Sequence, residues 1–226
     1  MSDATKDARQ RVVLFDFDGV LFRGDSFTAL LRHHCRHEWW RIVLATPLLL
    51  LCIPFAALRR TRRRTLRLLV HTVLLGVSEQ RYRAMAQDFG RSLGSDAGRF
   101  LEEGLRAVKA HAGSGARVIV VTGCEDTLAR AILDELGLHA IELIGSRLVA
   151  GRFGMRVSIH TFGAEKVRQL ARIGITPPWD FAYSDSSTDA DMLGAAHAAV
   201  LVNAKPGTRA RLVSRIGREP KAVIWR

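Results

Sequence analysis

Two aspartates flank a phenylalanine in Asp16-Phe17-Asp18, and Gly19 follows them. Carboxylates two residues apart, directly behind an apolar run, can divide a reaction between a nucleophile and a proton-transfer group. A second acidic cluster, Ser184-Asp185-Ser186-Ser187-Thr188-Asp189, places two more carboxylates four residues apart. Between them in sequence lie Thr122-Gly123, a hydroxyl beside a permissive backbone amide, and Lys166. Four carboxylates brought together repel unless a cation shares the site, and hard oxygen ligands suit Mg²⁺. A hydroxyl, an amide and an ammonium are what the equatorial oxygens of a phosphoryl group require. The pattern therefore points to phosphoryl chemistry, one carboxylate attacking phosphorus while its neighbour handles the leaving-group proton.

These residues need a scaffold that delivers them to one edge. Residues 11–16 read RVVLFD, a β-branched and aromatic run that turns acidic abruptly, as a buried parallel strand does where it opens into a site. Similar runs occur at 116–121, 139–144, 179–183, 198–202 and 222–225. Helical periodicity between them joins Leu128, Ala131, Ile132 and Leu136 on one face, and Val167, Leu170 and Ile173 on another. Alternation of this kind predicts an α/β fold, a three-layer Rossmann-like core with a parallel sheet. Residues 147–159, with Gly151 and Gly154, read as a β-hairpin inserted between units. Residues 25–94 carry no strand signal and are expected to form an all-helical cap, a lid over the sheet's C-terminal edge, leaving 1–24 and 95–226 as the core.

The ordered set DFDGV, VVTG, Lys166 and YSDSSTD resembles the four motifs of the haloacid dehalogenase-like (HAD) phosphatase superfamily, over roughly residues 11–195. The spelling YSDSSTDADML, with a helical insert after the first motif, is similar to the branch that includes phosphoserine phosphatase. That resemblance implies Asp16 as the nucleophile, forming an aspartyl-phosphate, and Asp18 as the acid that protonates the leaving oxygen and later activates water. It implies Mg²⁺ held by the Asp16 carboxylate, the Asp18 backbone carbonyl and Asp185, with Asp189 in support. Thr122, the Gly123 amide and Lys166 would hold the phosphoryl oxygens. Asp25 stands where phosphoserine-specific relatives carry a glutamate for the substrate amine, and the shorter acid weakens that substrate. It reads equally as a cap on the first insert helix, in Gly24-Asp25-Ser26. Taken singly, Asp16-Phe17-Asp18 could be a solvated turn, Thr122 a helix cap, Asp189 and Asp191 first-turn acids and Lys166 a surface lysine. Lysine is scarce in this chain, which makes Lys166 mildly informative.

The 226 residues carry a formal charge of +12. Nine arginines against Glu38 between Ser26 and Ser78 supply +8 of it, so the remainder is near neutral and nucleic acid is not an expected partner. Cys35, Cys52 and Cys124 are odd in number and form no CxxC pair, which excludes a disulfide framework and fits a reducing compartment. The N-terminus shows no secretory pattern. Residues 42–58 are uncharged, preceded by Trp39 and Trp40 and followed by an arginine cluster, as at a membrane interface. Asp16 precedes this segment and its partners follow it, so a single crossing would separate them; an in-plane or re-entrant hairpin on the cytoplasmic side of an anionic membrane satisfies the order. The alternative is that 42–58 is the buried core of a soluble cap. This cap pattern resembles that of the phosphatidylglycerophosphatase C enzymes, which implies a lipid phosphate substrate. The rival readings are a soluble phosphatase of the phosphoserine or histidinol-phosphate kind, phosphotransfer to a sugar by the same motifs, and a non-catalytic membrane-binding protein that keeps the fold. His33, His34, Cys35 and His37 are assigned no metal, and Cys124 is read as a small residue beside the pocket at a helix start.

Overall fold

A computed structural model describes residues 10–40, 43, 46, 47, 50 and 62–226, without the side chains of 62–64 and 66. The sheet has seven strands: β1 (Val12–Phe15), β2 (Arg117–Glu125), β3 (Glu142–Gly151), β4 (Gly154–Ile159), β5 (Trp179–Ser184), β6 (Ala196–Val202) and β7 (Lys221–Val223). Their order is β4-β3-β2-β1-β5-β6-β7, and every pairing is parallel except β3 with β4.

Strand alternation explains why the sheet is buried on both faces. Val13 and Phe15 of β1 join Val118 and Val120 of β2 in one core, while Val12 and Leu14 join Ile119 and Val121 in the other. Each face has its own helices. On the first lie α3 (Glu79–Gly94), α4 (Glu102–Gly113) and α5 (Asp126–Glu135), and on the second α6 (Ala164–Arg172), α7 (Ala190–Gly194) and α8 (Thr208–Ile216). This is the expected three-layer α/β architecture.

Between β1 and β2 the described residues also form α1 (Ser26–His37) and α2 (Arg62–Val73). Leu30 and His34 of α1 are buried one turn apart. Most of 42–58 lies outside the described residues; Val43, Thr46, Pro47 and Leu50 are helical and exposed. Among the described residues no helix is long and apolar enough to cross a membrane.

Two details differ from the sequence reading. Residues 142–144 of the run at 139–144 and the first arm of the hairpin form one strand, β3, which passes through Gly145, while 139–141 form a turn before it. A Cβ on Gly145 would lie 2.8 Å from the Cα of Asp126, so glycine here admits the start of α5 and does not end the strand. The β3–β4 hairpin in turn carries α2, whose His71 Nδ1 donates to the carbonyl of Met155 at 2.9 Å.

The second detail is that α3 packs against α5 of the sheet's own helical layer. Gly90 and Gly94 make the approach possible: a Cβ at Gly90 would stand 2.7 Å from Cβ of Ala131, and one at Gly94 would stand 2.5 Å from Cβ of Glu135. A Gly90→Val substitution must separate the helices, at about 1–3 kcal/mol for overpacking. For a domain of this size that corresponds to roughly 3–10 °C in Tm, and a thermal scan showing an unchanged Tm would contradict the close crossing.

Candidate active site

Register brings the motifs together before any side chain is considered. Phe15 of β1 pairs with Val120 of β2 and with Tyr183 of β5, so Asp16, Thr122 and Asp185 emerge from three adjacent strands within a residue of the same level. The Asp16 amide donates to the carbonyl of Tyr183 at 2.9 Å, tying the first motif to the last. Gly19, at φ +80°, turns the chain back so closely that a Cβ there would meet the Asp185 carboxylate at 2.4 Å.

Lys166 occupies the centre of this edge. It is 2% exposed, and its ammonium lies 2.8 Å from Asp16 Oδ1 and 2.7 Å from Asp189 Oδ2. Burial works against its charge, but Asp16 and Asp189 outweigh that and push its pKa up, so the ammonium stays protonated. Burial pushes the Asp16 carboxyl up, with Lys166 pulling the other way and Asp189 adding repulsion. Asp185 is raised by burial and by Asp189. Asp18, whose Oδ1 accepts from the Ser26 amide at 2.9 Å, is pushed up to about 7 by burial against that hydrogen bond. A carboxyl titrating there can hold a proton near neutral pH, as a general acid must.

The phosphate-binding candidates sit where β2 departs from its ladder. The β2–β3 register shifts between Val121 and Glu125, a irregularity of the kind that re-aims backbone beside active sites. Thr122 is fully buried, and its hydroxyl accepts from the Cys124 amide at 3.0 Å. The Gly123 carbonyl accepts from Ser146 Oγ at 2.8 Å, and Ser146 Oγ in turn accepts from the Thr161 amide at 3.0 Å. Thus β3 and the start of the α6 segment brace this loop.

Asp25 takes the capping role: its Oδ1 accepts from the Thr28 amide at 2.7 Å. Cys124 is the next-to-last residue of β2, directly before Glu125, which caps α5, and burial raises its thiol pKa, with Asp18 adding to the rise. Its sulfur accepts from Ser26 Oγ at 3.0 Å. Three hydroxyl residues brace the site without a role assigned to them from sequence: Ser146 and Thr161, and Ser184, which stands in the second acidic cluster. Their signal was weak: single hydroxyls in or beside apolar strands.

The donors present fit a hard divalent cation. Asp16 and Asp189 ion-pair with the Lys166 ammonium, Asp18 and Asp185 lie near enough to feel its charge, and Asp189 Oδ1 is buried without a hydrogen-bond partner. Among the described residues no three His, Cys, Asp or Glu side chains form a ready-made metal cage. Mg²⁺ needs none, since it is held by one or two carboxylates and keeps several waters or substrate oxygens.

The haloacid dehalogenase-like hydrolase family model matches residues 13–194, which contain every motif just described. The chain belongs to this hydrolase family. Protein CicA of Caulobacter vibrioides is 28% identical to this hydrolase over 191 residues, covering 82% of each chain. Among solved structures, an apo phosphoserine phosphatase superposes with a TM-score of 0.62 at 17% identity, covering 95% of this chain and 94% of the other. A phosphoserine phosphatase captured as a phospho-aspartyl intermediate analogue gives a TM-score of 0.57 at 18% identity, with 89% and 90% covered.

Proposed function

We propose that this hydrolase cleaves phosphomonoesters through an aspartyl-phosphate on Asp16, with Mg²⁺ as cofactor. The observation that carries the reading is the Lys166 ammonium held between Asp16 and Asp189, at the edge where Asp18, Thr122 and Asp185 also emerge. A similar protein trapped as a phospho-aspartyl analogue supports the same chemistry.

Asp16 attacks phosphorus as the ester P–O bond breaks, and Asp18 gives its proton to the departing oxygen. Asp18 then takes a proton from water, which attacks phosphorus and returns Asp16 as a free carboxylate with release of inorganic phosphate. Lys166 and the Thr122–Gly123 segment bind the phosphoryl oxygens, and Lys166 also balances charge between Asp16 and Asp189. Asp16, the Asp18 carbonyl and Asp185 would hold Mg²⁺, which would supply charge neutralisation for the transferring group when bound. The helices α1 and α2 of the 25–94 insert serve as the cap over this edge.

The substrate reading we favour is a lipid phosphate at an anionic membrane surface, such as phosphatidylglycerophosphate. Trp39 is 69% exposed, and Trp40, Val43, Leu50 and Leu68 are exposed with it, all from the arginine-rich insert. Aromatic and basic residues together suit an anionic interface. Asp25 caps α1 through Oδ1 and is shorter than the glutamate of phosphoserine-specific relatives, which weakens the case for a phosphoserine amine as the recognised group.

Phosphate release tests both levels, using vesicles containing phosphatidylglycerophosphate or phosphatidate beside phosphoserine and a chromogenic ester. Turnover is expected to need Mg²⁺ and to vanish on chelation, with the vesicle lipid preferred. Turnover that survives chelation would remove the cofactor assignment. A soluble ester preferred by orders of magnitude would remove the lipid reading while leaving the phosphatase intact.

A further inference from the structure

Asp189 uses one of its oxygens twice. Oδ2 accepts from the Lys166 ammonium at 2.7 Å and from the Ser184 hydroxyl at 2.8 Å, whereas Oδ1, equally enclosed, has no hydrogen-bond partner. A carboxylate oxygen buried without a partner is costly, so a group beyond the protein's own donors is needed to complete it.

Ser184 is wholly buried at the last position of β5, directly before Asp185. Its oxygen also accepts from the Ser186 amide at 3.1 Å, and its 3.5 Å approach to the Ser186 carbonyl is too long to compete for the proton. The hydroxyl therefore has one orientation. Lys166 alone leaves the Asp189 carboxylate free to rotate about Cβ–Cγ, because that ammonium is shared with Asp16 and follows its partners. A second donor on the same oxygen, fixed to the sheet, stops that rotation.

We propose that Ser184 is a positioning residue for the cation: by holding Asp189 Oδ2 it keeps Oδ1 available to Mg²⁺ or its hydration shell, and so sets the cation affinity of the site. This inference rests on the reading that the site takes Mg²⁺. It gives the serine before Asp185 a role that a residue without a hydroxyl cannot fill. Partners of this kind, one bond behind the groups that meet a metal, govern its affinity by about 10–100-fold.

The test is the Mg²⁺ concentration that gives half of the maximal rise in Tm, measured on chelator-stripped full-length protein. Ser184→Ala is expected to raise that concentration about tenfold or more. Ser184→Thr, which keeps the hydroxyl on a strand-favouring residue, is expected to return towards the wild-type value. Equal midpoints for wild type and Ser184→Ala would overturn the inference and leave the cofactor reading standing. No Mg²⁺ response in the wild type would overturn both. Should the alanine variant fail to fold, Ser184→Cys, of similar shape and weaker as a donor, decides: a wild-type midpoint in it counts against the proposal.

Discussion

Asp16→Asn is expected to lower phosphate release by at least about 10⁴-fold, because the amide is a poor nucleophile and no neighbouring carboxylate occupies its place. The same substitution should leave the fold intact. Asparagine has the shape of aspartate, and its carbonyl can keep the bonds that Asp16 Oδ1 accepts from the Phe17 amide at 2.8 Å and from Lys166 at 2.8 Å. It also removes a buried charge whose ionisation burial already opposes. Circular dichroism and a thermal scan should therefore show a folded protein with a Tm at or near the wild-type value. A variant that turns over at the wild-type rate would end the assignment of Asp16 as nucleophile.

Lys166→Met is expected to fail in a different way, losing stability as well as turnover. Methionine fills much the same volume but leaves Asp16 and Asp189 facing each other inside the protein without the ammonium that separates them. Removing one partner of a buried ion pair costs about 3–5 kcal/mol, which for a chain of this length is on the order of 10 °C in Tm. Adding Asp189→Asn to Lys166→Met should recover much of that stability, since only one buried carboxylate of the pair remains, while activity stays lost. A Lys166→Met protein as stable as wild type would mean that this ammonium does not carry the charge balance assigned to it.

The strand ends were the most legible part of the sequence. A run buried on both faces must be apolar throughout, so the switch from Phe15 to Asp16, or from Tyr183 through Ser184 to Asp185, marks the sheet edge with little ambiguity. The three layers and the parallel sheet followed from the same alternation. The path of β3 was less legible, because Gly145 looks like punctuation in one dimension and is a close approach to Asp126 in three. Thr122-Gly123 likewise fell outside the run at 116–121, with Thr122 readable as a helix cap, whereas β2 continues and re-pairs Glu125 with Ser146. Bracing hydroxyls such as Ser184 and Thr161 were harder still. A serine's value depends on which buried oxygen it meets, and that partner is set by packing between segments far apart in sequence.

The pairing of Gly90 and Gly94 with α5 bears on how this protein can be re-engineered. Residues 25–94 look like a cassette that could be excised or exchanged to retarget the enzyme, because the chain on either side of it is tied together, the Arg23 amide donating to the Arg99 carbonyl at 2.7 Å and the Leu101 amide to the Leu21 carbonyl at 2.9 Å. Yet α3 lies inside that span and roofs Leu128 and Ile132 of α5, which belong to the first core. Excision would strip that roof and leave an aggregation-prone apolar surface where a helix had been. A chimera that keeps residues 79–94 and replaces only the stretch before them respects the seam along which the molecule is built.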